Sequence, residues 1–373
     1  MTKNVKPPFH AEHVGSLLRP PELRQAFRQF SNGEIDAPAF TAIQDAAIEK
    51  AVRMQEAIGF GLATDGEFRR ASYWSPVIDA VEGLTVRQAS FSFRDGSGET
   101  LGFIAPYVEG KLRRRRGITT ADYAFLAKTV RSAVPKITLP TPSTFHFWRG
   151  PDGYDRAAYD DPTELLDDVA KAFRAELVEL AALGCRYVQF DEVALIMLAD
   201  PDIRRTVSER GEDPDRLVGM YIEAINAAVA NRPADMRIGL HMCRGNFRGK
   251  FLSAGGYDPI AERVFGETAI DILFLEYDSE RAGDFGALKY VPGDKSVVLG
   301  LISSKMPALE GKADLHRRID QAARIVPLER LAISPQCGFA SAASGNPVTP
   351  ADQEAKLRLV IDVAGEVWGE SST

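Results

Sequence analysis

The stretch Arg237-Ile-Gly-Leu-His241-Met-Cys243 decides how the rest of the chain reads. It is a short apolar run that ends in two side chains able to bind a metal. Successive side chains on a strand point to opposite faces, so residues i and i+2 project together. As a strand, the run therefore sends His241 and Cys243 to one side. Imidazole nitrogen and thiolate sulfur are donors that a borderline-soft ion such as zinc prefers. Two ligands do not make a site, so the others must come from elsewhere in the chain.

Working outward, the same unit recurs. Short apolar strands are expected at Leu62-Ala-Thr, Lys136-Ile-Thr-Leu, Arg186-Tyr-Val-Gln-Phe, Asp271-Ile-Leu-Phe-Leu, Ser296 to Ile302 and Leu331-Ala-Ile-Ser, with a further piece at Val14-Gly-Ser16. Between them the apolar spacing is helical over about 38–58, 162–183, 214–230, 258–267, 310–325 and 350–367. Near-continuous apolar strands alternating with amphipathic helices imply a parallel sheet buried on both faces. About eight such units in 373 residues imply an α/β protein built as one closed (β/α)8 TIM barrel, a single domain over 1–373. Residues 82–118 break the rhythm and read as an inserted hairpin or loop, with a Gly-rich turn at Asp95-Gly-Ser-Gly98 and a basic run from Arg113 to Arg116. That run reads as a solvated face or edge protection, with an anionic substrate tail as the competing reading.

Composition narrows the function. The formal net charge of −7 argues against nucleic acid as a partner. No apolar run approaches the roughly 20 residues that span a bilayer, and the start lacks an apolar signal core. Three cysteines, Cys185, Cys243 and Cys337, make no disulfide framework, which fits a reducing cytoplasm where thiols are free to bind metal. No G-x-G-x-x-G or Walker A sequence follows a strand, so a nucleotide-binding fold has no support.

In barrels of this kind the active site sits at the C-terminal ends of the strands. Ser16, Asp65, Glu67, Thr141, Ser143, Asp191, Glu192, His241, Cys243, Glu276, Lys305 and Cys337 all fall there. His241, Cys243, Glu276 and Cys337 would make an N/S/S/O shell suited to Zn2+. The bland alternative makes the two cysteines ordinary buried thiols and Glu276 an ion-pair partner. Cys185 begins a strand and reads as core. A site with two thiolates and a carboxylate is electron-rich. It suits holding a substrate thiol as a nucleophile, which points to alkyl transfer onto sulfur.

The motifs His-Met-Cys-Arg-Gly-Asn (241–246), Gln-Phe-Asp-Glu (189–192), Phe-Leu-Glu-Tyr-Asp (274–278), Ser-Pro-Gln-Cys-Gly (334–338), His-Val-Gly-Ser (13–16) and Asp-Gly-Glu-Phe (65–68) resemble the catalytic barrel of cobalamin-independent methionine synthase, in its short single-barrel form. The resemblance implies zinc on His241, Cys243, Glu276 and Cys337. It implies Asp191 and Glu67 on the ammonium of homocysteine and Ser16 on its carboxylate, with Glu192 in support. It implies a methyl group moved from a folate or other small donor to the thiol. The family's proton-donating histidine is replaced here by Lys305, which leaves the donor open. Epoxyalkane:coenzyme M transferase is similar too, and Arg69, Arg70 or Arg244 would then face a sulfonate. His10, His13 and His316 read as packing or surface. His146 stands near a strand-end loop and could line the mouth; Trp74 and Trp148 read first as packing, with stacking on a pterin or other flat group as the competing reading. The oligomeric state stays open, a homo-oligomer included.

Overall fold

Six parallel strands in sequence order carry the molecule, a computed structural model in which residues 7–94, 100–340 and 345–369 are described. The ten strands are β1 (Leu62–Ala63), β2 (Val81–Arg94), β3 (Thr100–Arg114), β4 (Val134–Pro135), β5 (Ile137–Pro140), β6 (Tyr187–Glu192), β7 (Arg237–Met242), β8 (Ile272–Glu276), β9 (Ser296–Ile302) and β10 (Leu331–Pro335). Strands β5 to β10 pair side by side in that order. Helices fill the returns, as expected where a parallel sheet is covered on its outer face. They include Ala37–Ile58, Pro162–Ala182, Pro214–Val229, Asp258–Glu267, Lys312–Ala323 and Pro350–Trp368.

Local chemistry sets the helix limits. Asp36, Asp161 and Asp213 accept backbone N–H bonds at three N-termini, and Thr349 with Asp352 forms a reciprocal capping box at a fourth. Gly59, at φ 109°, closes the helix that the sequence ends there. Shorter helices at Pro21–Ser31, Ser75–Ala80, Thr120–Thr129 and Pro201–Glu209 carry too few turns to stand out in the apolar pattern.

The expected eight-strand ladder is met in part. The two edges of the six-stranded sheet approach each other through short pieces. At one edge Ala11 bridges Ile333 of β10. At the other, β4 pairs with β1, and Lys136 N donates to Ala63 O. Thr64 Oγ1 then donates to Gly15 O at 2.7 Å and Leu17 N to Gly66 O at 3.1 Å. A small apolar cluster joins Phe9, Leu62, Tyr187, Ile272, Phe274, Val298 and Ala332, residues of β1, β6, β8, β9 and β10. Strands so far apart in order share one inner cluster only if the sheet curls round. The arrangement is consistent with a barrel, but no closed eight-strand ladder forms among the described residues.

The expectation of a strand at Val14-Gly-Ser16 is corrected. Gly15 stands at φ 138°, and side chains rather than a neighbouring strand take the carbonyls. Lys136 Nζ donates to His13 O, and Gln189 Nε2 to Val14 O at 2.7 Å.

The insertion over 82–118 is an antiparallel hairpin of β2 and β3, paired from Val81↔Arg114 to Arg94↔Thr100 with register shifts between Glu82 and Leu84 and between Gln88 and Ser92. Its turn, Asp95-Gly-Ser-Gly98, lies outside the described residues. The arginine run fastens the hairpin's base: Arg113 and Arg115 pair with Glu82, Arg114 with Glu176 and Glu179, and Arg116 reaches Asp79 O. No described helix is long and apolar enough to cross a membrane.

Candidate metal centre and its cavity

β7 ends in His241-Met242, and Cys243 follows it. β10 ends at Pro335, two residues before Cys337. A ligand atom from each of His241, Cys243 and Cys337 lies within 4.8 Å of the other two, and all three residues are buried. The two sulfurs are 3.4 Å apart. Parallel pairing sets Asp191 of β6 beside His241, and Asp191 Oδ1 accepts from His241 Nδ1 at 2.9 Å. A carboxylate on Nδ1 fixes the ring and leaves Nε2, which lies 3.4 Å from Gln336 O, for another partner. Gln189, two residues earlier on the same strand face, donates to Asp191 at 2.8 Å and holds it in turn.

The three groups perturb one another. Burial lowers the His241 pKa, but Asp191 and Cys337 outweigh it and hold the ring charged up to about 10. The Cys243 S–H bond to Cys337, with His241 and Lys305 behind it, keeps Cys337 a thiolate well below the usual thiol range despite burial. That same bond, together with burial, pushes Cys243 up. A divalent ion bound here would neutralise the two sulfurs. An imidazole nitrogen and two sulfurs in a buried site fit zinc.

Glu276 stands beside this trio instead of within it. Burial raises its carboxyl, yet Lys305, Arg281 and Arg244 outweigh that and hold it well below the usual range. Its oxygens accept from Arg244 N at 2.9 Å and from Arg281, and Lys305 Nζ is 3.4 Å away. Of the four ligands expected, the structure brings three together and gives the fourth to cations. Lys305 is itself held charged: burial lowers it, but Glu276, Asp278 and Cys243 raise it further.

A cavity of about 300 Å³ opens onto the trio. Ser16, Glu67, Asp191 and Glu192 line it together with His241, Cys243 and Cys337. Glu67 adopts φ 60° in the turn after β1 and accepts from Thr138 Oγ1 at 2.8 Å. Burial, aided by Asp191 and Asp65 and opposed by Arg70, pushes its carboxyl up to about 7. Glu192 accepts from Ser143 Oγ and Leu195 N, both at 2.7 Å, and burial raises it. Ser16 O accepts from Phe339 N at 2.9 Å, and a Cβ on Gly338 would stand 1.9 Å from Ser16 Oγ. The N-terminal segment and the Cys337 loop touch where only glycine fits.

The rest of the lining is aromatic. Trp74 and Trp148 face the cavity, where packing was the favoured expectation. Tyr73, Phe93, Phe103 and Phe247 join them, and sequence reasoning missed these four. The alternation Phe91-Ser-Phe93 was the available signal, but nothing in it says that the hairpin folds over a strand end.

The other candidates lie elsewhere. Arg69 pairs with Asp45 and Asp122, Arg70 binds Thr138, and Arg244 binds the carbonyls of Gly255, Glu276 and Ala282. His146 is buried against Tyr221 at 2.8 Å, away from the cavity lining. His10 stacks on Trp368, His13 meets the edge of Phe60, and His316 pairs with Glu366. Cys185 is buried at the far end of its strand, and burial pushes it up to about 12.

The family described as "Cobalamin-independent synthase, Catalytic domain" matches residues 9–366. The chain belongs to this family. Among its relatives, the uncharacterized protein YxjH of Bacillus subtilis is 38% identical over 369 residues, covering 98% of this chain and 96% of its own. The 5-methyltetrahydropteroyltriglutamate–homocysteine methyltransferase of Bacillus cytotoxicus is 25% identical over 331 residues, 87% of this chain but 39% of that enzyme. A putative vitamin-B12 independent methionine synthase from Listeria monocytogenes has a solved structure that is 32% identical, with TM-score 0.77, covering 98% of this chain and 100% of that one. A B12-independent methionine synthase from Shewanella shares the fold at TM-score 0.74 and 18% identity. Cobalamin-independent synthases are methyltransferases acting on small molecules, and membership supports a transferase role here.

Proposed function

We propose that the chain is a single catalytic (β/α)8 barrel that moves a methyl group from a folate or another small donor to a thiol, homocysteine first among them. The observation that carries this reading is the convergence of His241, Cys243 and Cys337 within 4.8 Å on a cavity also lined by Ser16, Glu67 and Asp191. His241, Cys243 and Cys337 would hold zinc, with Glu276 adjacent as the fourth ligand once Lys305 and Arg281 release an oxygen. Bound there, zinc supplies a Lewis acid that lets a thiol lose its proton while its sulfur stays nucleophilic.

The chain's own residues do the remaining work. Asp191 fixes the His241 ring through Nδ1. Asp191 and Glu67 offer negative charge to the substrate ammonium, and the backbone and hydroxyl of Ser16 lie at hand for its carboxylate. The aromatic wall keeps water from the reacting sulfur. Among the described residues, no lysine or arginine lines the cavity, so the sulfonate-bearing thiol of the epoxide reading finds no partner there. The absence of a described membrane-crossing helix fits action on small soluble metabolites in the cytoplasm.

Metal analysis and X-ray absorption test the proposal. Purified protein should carry about one zinc per chain, and Cys337→Ala should lose most of it. Added homocysteine should bring one more sulfur to the metal. Full zinc retention in Cys337→Ala, or an unchanged spectrum with homocysteine, would overturn it.

A further inference from the structure

The cavity's lining has a charge and shape that select the methyl donor. Three described lining residues are carboxylates, Glu67, Asp191 and Glu192, and none is a lysine or arginine. Against them stands a continuous aromatic wall. Phe247 and Phe93 have ring centroids 5.3 Å apart, Phe93 and Phe103 5.0 Å, and Phe103 and Trp148 5.1 Å. Trp148 Nε1 donates to Tyr73 OH at 3.2 Å and joins a fifth ring to the wall. A polyanionic donor would meet three acids and, among the described lining residues, no lysine or arginine. A cation seated against an aromatic ring is attracted by its quadrupole, most strongly where water is excluded. The cavity's volume of about 300 Å³ is at the small end of roughly 300–1,000 Å³ for ligand sites, which suits a compact second substrate.

We propose that the donor is a small methyl-onium ion, a sulfonium or quaternary ammonium, seated against Phe93, Phe103 and Trp148 with its methyl toward the sulfurs. This rests on the thiol-methylation reading above. The thiolate sulfur forms the new S–CH3 bond as the onium–CH3 bond breaks, and that electron pair stays on the departing sulfur or nitrogen. The leaving group is a neutral sulfide or tertiary amine and takes no proton; the only proton released is the thiol's own. The reaction therefore needs no acid. That agrees with the place of Lys305, which stands where the family has its proton-donating histidine: it is turned to Glu276 and is not among the described lining residues.

Tryptophan fluorescence of the zinc-loaded protein tests the cation preference. Trimethylsulfonium should bind at least about tenfold tighter than neutral 2-methylpropan-2-ol, a similar volume without the charge. Phe103→Leu should lose most of that preference and Phe103→Trp should keep it. In turnover with homocysteine, S-methylmethionine giving two methionines would assign a sulfonium, and trimethylglycine giving dimethylglycine would assign an ammonium. Equal binding of the cation and the neutral alcohol, or turnover with triglutamyl 5-methyltetrahydrofolate and with neither onium ion, would overturn the inference. The absorption spectrum separates the two levels. Homocysteine sulfur on zinc with no onium binding removes the donor alone, whereas its absence removes the thiol reading itself.

Discussion

At the residue scale, the sequence shows which atoms are present but not what holds them. The i, i+2 spacing of His241 and Cys243 is enough to send them to one side of a strand, and Cys337 at another strand's end could be expected to meet them. That Asp191 braces His241 depends on the register between β6 and β7, which no local pattern encodes. The bond makes a prediction. Asp191→Ala should weaken zinc binding by about 10–100-fold, because the imidazole loses the partner that fixes its tautomer and orientation. Chelator competition measures this directly. If zinc affinity holds while the KM for the thiol rises, Asp191 serves the substrate alone. A second residue, His146, reports on burial. Burial first, then Arg210 and Arg156, lowers its pKa to about 3, against an ordinary value near 6.5. The unfolded chain therefore takes up a proton as pH falls through 6.5 and the folded chain does not. This contribution is complete above pH 6.5 and shrinks toward pH 3. Relative to His146→Gln, the metal-free protein should lose about 2 kcal/mol between pH 7 and pH 5. Urea unfolding at both values checks it, and parallel curves for the two proteins would count against the shift.

At the element scale, strands and long helices follow the apolar period closely because the sheet is buried on both faces. Asp258–Glu267 and Ser296–Ile302 agree with expectation to the residue. The hairpin was legible as an insertion, but its role was not, since β2 and β3 pair with each other and reach the cavity only through tertiary packing. The approach of β9 to the Cys337 loop was invisible for the same reason. Gly300 of β9 lies opposite Glu276 of β8, and a Cβ there would meet Gln336 Cα at 2.7 Å and Leu275 O at 2.9 Å. Both are backbone atoms and cannot rotate away. Gly300→Ala should cost about 1–3 kcal/mol through overpacking. Because the displaced Gln336 precedes Cys337, zinc should also bind at least about tenfold more weakly. Gly293→Ala, with nothing within 4 Å of the added carbon, is the control and should stay within about 0.5 kcal/mol. Unfolding midpoints and zinc titrations of the two variants separate a local push from a general effect of alanine.

At the scale of the whole molecule, the alternation of strand and helix pointed to a barrel and Leu62-Ala-Thr was legible as a strand, while Val134–Pro135 and the bridge at Ala11 have too little pattern to be read. The candidate centre sits late in the same architecture. Cys243 and Cys337 are 94 residues apart and lie at the ends of β7 and β10, so a bound ion would tie two strand ends across the cavity. The main apolar core, by contrast, draws on nearly every element and includes none of the three candidate ligands. Zinc should therefore stabilise by mass action on a fold that already stands. At about 100 times its dissociation constant it adds about 2.7 kcal/mol, which for a chain of this size raises the unfolding midpoint by roughly 5 °C or less. Chelation should reverse that shift, abolish thiol binding and leave the far-ultraviolet dichroism unchanged. A collapse of helical signal on chelation would instead mean that the ion is required for folding. The three ligands would then be a structural clasp, and the cavity beside them would need a different chemistry.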